Sequence, residues 1–377
     1  MAQTKLQALA QLGQSIWLDY IDRKLLDTGQ LKNWIEQGLR GMTSNPTIFC
    51  KAIASSTDYD ERILKLKEAG KSTFEIYDEL TIRDIQEACD LFRPVYKETD
   101  RLDGYVSLEI NPLLAHDTEA SIKEGLRLFE KVHRPNCMIK VPSTKAGFPV
   151  IEALLAKGVN VNVTLIFSLK QYTNTAQAFL KGMERLSQKY FDLRKVHSVA
   201  SVFVSRMDTL TDKLIEDRLK QGAASQRKEI LSSLKGRAAV ANSQLIFNQS
   251  KEHFASDRFQ KLAQKGAAWQ RVLWGSTSTK NPAYRDIKYL TELIAPSTVN
   301  TVPQNTLGAF LDHGEVLEAL QGTSPQAQEL FQTLKKFDID IEAVCAQLLD
   351  DGVAAFSQSF EELINSIETK ARQLITK

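Results

Sequence analysis

The sequence predicts an α/β fold, a (β/α)8 TIM barrel with additional helices. Eight short apolar runs alternate with longer amphipathic ones along 377 residues, the pattern of parallel strands joined by helical crossovers. The length by itself suits one large α/β barrel or two or more smaller domains. Six successive runs also place polar residues on one face near their C-terminal ends, where barrel enzymes carry their sites.

Alternate residues of a barrel strand point inward, so each run assigns its own faces. In IWLDY (16–20), Trp17 and Asp19 point inward, while Ile16, Leu18 and Tyr20 face helices. GMTSN (41–45) turns Thr43 and Asn45 inward, and Asn45-Pro46 pairs an N-cap with a proline at the first helical position. Residues 50–103 then hold two helical patterns, 57–69 and 73–92. GYVSLEI (104–110) points Ser107 and Glu109 inward, and CMIKVPS (137–143) does so with Met138 and Lys140. NVNVTLIF (160–167) contributes Asn162 and Thr164, and HSVASVFVS (197–205) contributes Ser201 and Phe203. Helical patterns at 117–132, 146–157, 169–188 and 206–220 separate these strands or follow them. The interval 206–270 holds about three helical patterns, with a polar, basic break at LKQGAASQRK (219–228). RVLWGS (271–276) and TVNTVP (298–303) complete the eight strands, and a tail of helices follows. No interval reads as a separate unit, so 1–377 is expected to be a single barrel domain with helical insertions at about 50–103 and 206–270 and a helical C-terminal tail.

Charge and cysteines narrow the function classes. With 48 basic and 46 acidic residues, the net charge of +2 argues against a broad nucleic-acid or membrane surface. The four cysteines are dispersed, with no CxxC pair and no zinc-type spacing. The N-terminal stretch has no apolar leader pattern, and no run reaches the roughly 18 apolar residues that span a bilayer. A reduced, soluble, cytoplasmic protein is expected, without metal, cofactor, nucleic-acid or membrane partners; self-association into a homo-oligomer is left open.

Lys140 raises the sharpest chemical question. Its ammonium lies among Met138, Ile139, Val141 and Pro142, and an unpaired buried charge is costly. It either pairs with Glu109 or serves as a nucleophile, since desolvation favours the neutral amine that forms a Schiff base with a ketone. The iminium then withdraws electrons, so a neighbouring C–C bond can break or form without a metal. Asp19 and Glu109 are available to move protons. Asn45, Asn162, Thr164 and Ser201 are placed to hold sugar hydroxyls. His197 begins its strand and is expected to be structural at the barrel bottom.

TSNPT (43–47), VSLEI (106–110), MIKVPST (138–144), VNVTLIFS (161–168) and SVFVSRMD (201–208) together resemble transaldolase. WGSTSTKNP (274–282), NTVPQNTL and LDHG (311–314) resemble the longer bacterial branch of that family. The similarity runs from about residue 15 to residue 370. The resemblance implies a metal-free Schiff-base enzyme of the pentose phosphate pathway. Such an enzyme moves a dihydroxyacetone unit from sedoheptulose 7-phosphate to glyceraldehyde 3-phosphate, giving erythrose 4-phosphate and fructose 6-phosphate. It implies Lys140 as the Schiff-base residue and Asp19 as the acid/base at the scissile hydroxyl. Glu109 would work through a water alongside Thr164. Asn45 and Asn162 would contact the dihydroxyacetone part, Thr43 would bind substrate, and Phe203 would be an aromatic near the site. Ser201 and Arg206 would serve the sugar and phosphate side. The commoner branch has Ser-Phe-Arg after strand seven; here Ser278 and Lys280 are the nearest counterparts, and lysine lacks the bidentate fork of arginine. The rival readings are a Schiff-base aldolase releasing free dihydroxyacetone, a metal-free phosphosugar isomerase with Glu109 as base, and an inactive scaffold.

Overall fold

A computed structural model describes residues 3–221, 225–321 and 324–375. Among them, eight parallel strands close into a barrel in chain order. They are β1 (Gln14–Asp19), β2 (Gly41–Thr43), β3 (Tyr105–Glu109), β4 (Cys137–Pro142), β5 (Val161–Ile166), β6 (Ser198–Phe203), β7 (Arg271–Gly275) and β8 (Thr298–Val302). Every expected strand is present. β1 starts two residues earlier than expected, because the buried Gln14 amide bridges to Leu293 O and Thr298 Oγ1 at 2.8 and 2.9 Å.

The alternation of faces sorts the core into two parts. Outward residues such as Ile16, Leu18, Val106, Leu108, Ile139, Val141 and Val163 join the large cluster shared with the helices. Inward Trp17, Tyr105, Met138, Val199, Leu273 and Val299 form a second cluster inside the barrel, closed below by Tyr96. Gly41 permits that filling, since a Cβ there would meet the Trp17 ring at 2.6 Å. Gly147 has a similar reason: its Cβ would lie 2.0 Å from the Pro142 carbonyl oxygen, so only glycine lets the helix start this close to β4.

The interval after β6 departs from the three expected helical patterns. It holds four helices, Ser205–Lys220, Ser225–Ser233, Ala238–Ala255 and Asp257–Ala263. Part of the basic break, residues 222–224, lies outside the described residues. The tail contains Gln304–His313, Pro325–Lys335 and the 35-residue helix Ile341–Ile375. That last helix is about 50 Å long at 1.5 Å per residue. Its apolar stripe, including Leu348, Phe356, Phe360 and Leu363, is buried against the helix Pro46–Ser55, the insertion helices and β5. His197 is buried at the barrel bottom against Tyr105, and burial pushes its imidazole down to about 4. Among the described residues no helix is long and apolar enough to cross a membrane.

Candidate active site

A cavity of about 250 Å³ opens at the C-terminal ends of the strands. Nine of the expected site residues line it: Asp19, Thr43, Asn45, Lys140, Ser201, Phe203, Arg206, Ser278 and Lys280. Glu109, Asn162 and Thr164 are buried and lie outside that lining.

Register brings the central groups together. Glu109 pairs with Lys140 across β3 and β4, and Lys140 pairs with Asn162 across β4 and β5. Lys140 is only 4% exposed. Its Nζ donates to Ser44 O at 3.2 Å and stands 3.7 Å from Glu109 Oε2. The second distance is an ion-pair separation, beyond a hydrogen bond. Burial pushes the Glu109 carboxyl up to about 7, although Lys140 beside it pulls the other way. Glu109 Oε2 and Thr164 Oγ1 are both buried without a hydrogen-bond partner among the described residues. Buried polar atoms are normally satisfied, and exceptions often mark chemistry.

Thr164 sits at an irregularity in the sheet. The pairing of β5 with β6 shifts register between Val163 and Ile166, and Leu165 is left-handed at φ 59°. Such bulges re-aim side chains next to sites. Below it a polar belt crosses the barrel. Asn162 Nδ2 donates to Ser107 Oγ at 2.9 Å, and Ser201 Oγ donates to Asn162 Oδ1 at 2.6 Å. β4, which carries Lys140, runs between β3 and β5 of that belt.

Asp19 occupies the opposite wall. Thr43 Oγ1 donates to its Oδ1 at 2.7 Å, and the Thr43 and Thr301 hydroxyls are 3.0 Å apart. Burial raises the Asp19 carboxyl above its ordinary range, opposed by Lys140, the Thr43 hydrogen bond and Lys280. Asn45 lines the cavity and also caps the following helix, accepting from Ile48 N at 3.0 Å.

The cation end is short of counter-charges. Arg206, in the first turn of Ser205–Lys220, lies over the Phe203 ring at 5.7 Å. Asp208 and Asp212 are not its partners. Asp208 accepts from Ala239 N and Tyr289 Oη at 2.7 and 2.8 Å, and Asp212 from Gly236 N and Tyr284 Oη at 2.8 and 2.6 Å. Burial pushes the Arg206 guanidinium down, with Asp351 opposing. Lys280 and Lys51 are exposed cations on the same cavity. Four cations therefore face one lining carboxylate, a field that attracts an anionic substrate.

Several lining residues escaped the sequence reading. Thr301 shares inward parity with Val299 on β8, so extending the strand alternation would have found it. Lys51 follows the Asn-Pro cap by less than two helical turns and carries no local signal. Phe356 comes from the last helix, with its ring centroid 5.9 Å from Lys140 Nζ and 6.5 Å from the Phe203 ring. Its pairing with β4 and β6 is purely tertiary.

The chain's similarity to known proteins agrees with this geometry. The family described as Transaldolase/Fructose-6-phosphate aldolase matches residues 16–367. A protein named Transaldolase from Trichodesmium erythraeum is 44% identical over 377 residues, covering 99% of each chain. Proteins of the same name from Saccharopolyspora erythraea and Mycolicibacterium smegmatis are 44% and 43% identical, each over 98% of both chains. With a near full-length family match and full-length relatives above 40% identity, the chain belongs to the transaldolase/fructose-6-phosphate aldolase family.

Proposed function

We propose that the chain is a transaldolase that works through a Schiff base on Lys140. It takes sedoheptulose 7-phosphate as donor and glyceraldehyde 3-phosphate as acceptor, and yields erythrose 4-phosphate and fructose 6-phosphate. The observation that carries this reading is a buried lysine on the same cavity as one carboxylate, Asp19, with the guanidinium of Arg206, which has no ion pair among the described residues, on its lining.

In this reading the Lys140 amine attacks the ketose C2 carbonyl, and the carbinolamine loses water to leave an iminium. Glu109 and Thr164 move the protons of these steps through a water, using their unsatisfied oxygens. Asp19 then takes the proton of the C4 hydroxyl. The C3–C4 bonding pair flows into the iminium, giving an enamine and a free aldose phosphate. The enamine carbon next attacks the acceptor aldehyde while Asp19 returns its proton to the new hydroxyl. Hydrolysis regenerates the amine. Arg206, Lys280 and Ser278 hold the phosphate, Arg206 by a bidentate grip. Thr43 and Asn45 meet the dihydroxyacetone end, while Asn162 supports the floor from below. The location proposed with this reading is the cytoplasm.

The test is borohydride reduction in the presence of fructose 6-phosphate, followed by peptide mapping. The adduct is expected on Lys140, and Lys140→Ala should lose both adduct and transfer while remaining folded. An adduct on another lysine in that variant would overturn the assignment. Product analysis without an acceptor then separates transfer from release of free dihydroxyacetone.

A further inference from the structure

A second cavity, of about 450 Å³, lies at the opposite end of the barrel. Its walls come from the end of the helix Thr73–Glu98, the turn leading into β3, and the segments just before β4 and β6. Arg93, Lys97, Arg101 and Lys195 face it, against one carboxylate, Asp100. Asp100 stands 3.6 Å from Arg101. No carboxylate lies within ion-pair distance of Arg93, Lys97 or Lys195 among the described residues. The neighbouring Asp192 is occupied by a two-pronged pair with Arg194, at 3.0 and 2.9 Å.

Cations at a helix C-terminus commonly serve its free carbonyls. Here three of those carbonyls are already taken. Val95 O, Tyr96 O and Lys97 O accept from the backbone N–H groups of Thr99, Arg101 and Asp100 at 3.0, 2.8 and 3.2 Å. Arg93, Lys97 and Lys195, with no ion pair among the described residues, can therefore take an anion. The frame that holds them is rigid. Arg93 lies over the Tyr96 ring at 5.5 Å, and Tyr96 packs edge-on against Tyr105 inside the barrel, also at 5.5 Å. Asp100 and Arg101 are both left-handed, at φ 45° and 72°. Side chains rarely adopt that conformation, and residues held in it cluster at binding and catalytic sites. The Tyr105 hydroxyl, donating to Arg101 O at 2.8 Å, clamps the turn.

We propose that this cavity is a second anion site, shaped for a metabolite carrying two adjacent phosphoryl groups. The volume falls in the range of small-molecule pockets. The charge balance suits a polyanion better than a single carboxylate. The site is separate from Lys140 and does not depend on the reaction assigned there.

Titration calorimetry with inorganic pyrophosphate tests this on the full chain carrying Arg206→Ala and Lys280→Ala, which removes the two cationic phosphate contacts of the first cavity. Saturable binding of about one equivalent is expected to persist. Adding Arg93→Gln and Lys97→Gln should weaken it at least tenfold, the scale of a lost charge-assisted contact. Lys195→Gln, at an exposed side chain, should weaken it about tenfold by itself. Retained transfer activity of Arg93→Gln/Lys97→Gln in the otherwise native chain checks folding. Absence of saturable binding, or binding indifferent to both sets of substitutions, overturns the proposal.

Discussion

Glu109 and Arg206 give the sharpest tests at the scale of single residues. Burial holds the Glu109 carboxyl at about 7, against an ordinary 4.5. Between those values the folded chain keeps a proton that the unfolded chain gives up. The contribution of this group to stability is therefore fully present below about 4.5 and lost as pH rises through about 7. Glu109→Gln removes that titration, so its melting temperature relative to the native chain should rise between about pH 5 and pH 8. A difference that stays constant with pH would refute this. The same variant should slow imine formation by about 10²–10⁴-fold and abolish a pH–rate limb near 7. Arg206 makes a different prediction. Its guanidinium has no ion pair among the described residues, so Arg206→Ala should leave stability nearly unchanged. It should cost roughly ten- to a hundredfold in kcat/KM on phosphorylated acceptors, and much less on glyceraldehyde. Lys280→Ala should show the same pattern more weakly, because an exposed lysine is a point charge. Equal losses on both acceptors would reject the phosphate role.

The long helix Ile341–Ile375 decides what happens at the scale of elements. It lays Phe356 over Lys140 and against Phe203, and it packs Gly352 beside Leu165 at the β5 bulge. Phe356 thus lines the candidate active site beside the lysine. Phe356→Ala should lower transfer roughly tenfold, equivalent to about 1.4 kcal/mol, while borohydride trapping at Lys140 persists. The share of free dihydroxyacetone should increase, because water gains access to the intermediate. An unchanged product ratio would show that the ring only packs. The helices after β6 have a related part. Asp208 and Asp212, on the same helix as Arg206, accept from the amides of Ala239 and Gly236 and from the hydroxyls of Tyr289 and Tyr284. They tie the Arg206 helix to the loops around β7 and β8.

For the whole molecule, one hydrophobic cluster runs from Leu6 to Ala371 and includes residues of both insertions and the tail. We propose that the chain is a single domain on this ground, and expect one calorimetric unfolding transition shared by fluorescence and circular dichroism. A chain ending at residue 340 would lose the buried Leu348, Phe356, Phe360 and Leu363 and uncover the apolar surface they pack on. It should lose that transition or aggregate. Two separated transitions in the native chain would contradict the single-domain reading.

Strand alternation is a local property with a period of two, so eight strands and the inward set Asp19, Thr43, Glu109, Lys140, Asn162, Thr164 and Ser201 were legible in the sequence alone. Short motifs around those residues carried the family resemblance for the same reason, since each is contiguous. Thr301 was equally legible and was passed over on β8. The sequence left open whether Lys140 pairs or reacts. Tertiary structure placed Lys140 within 3.7 Å of Glu109 and on an open cavity as well. It gave Asp208 and Asp212 other partners, and it brought Phe356 to the lysine from far along the chain. These contacts join segments whose approach depends on how helices pack around the closed sheet. No periodicity within either segment encodes that distance, so only the assembled barrel decides it.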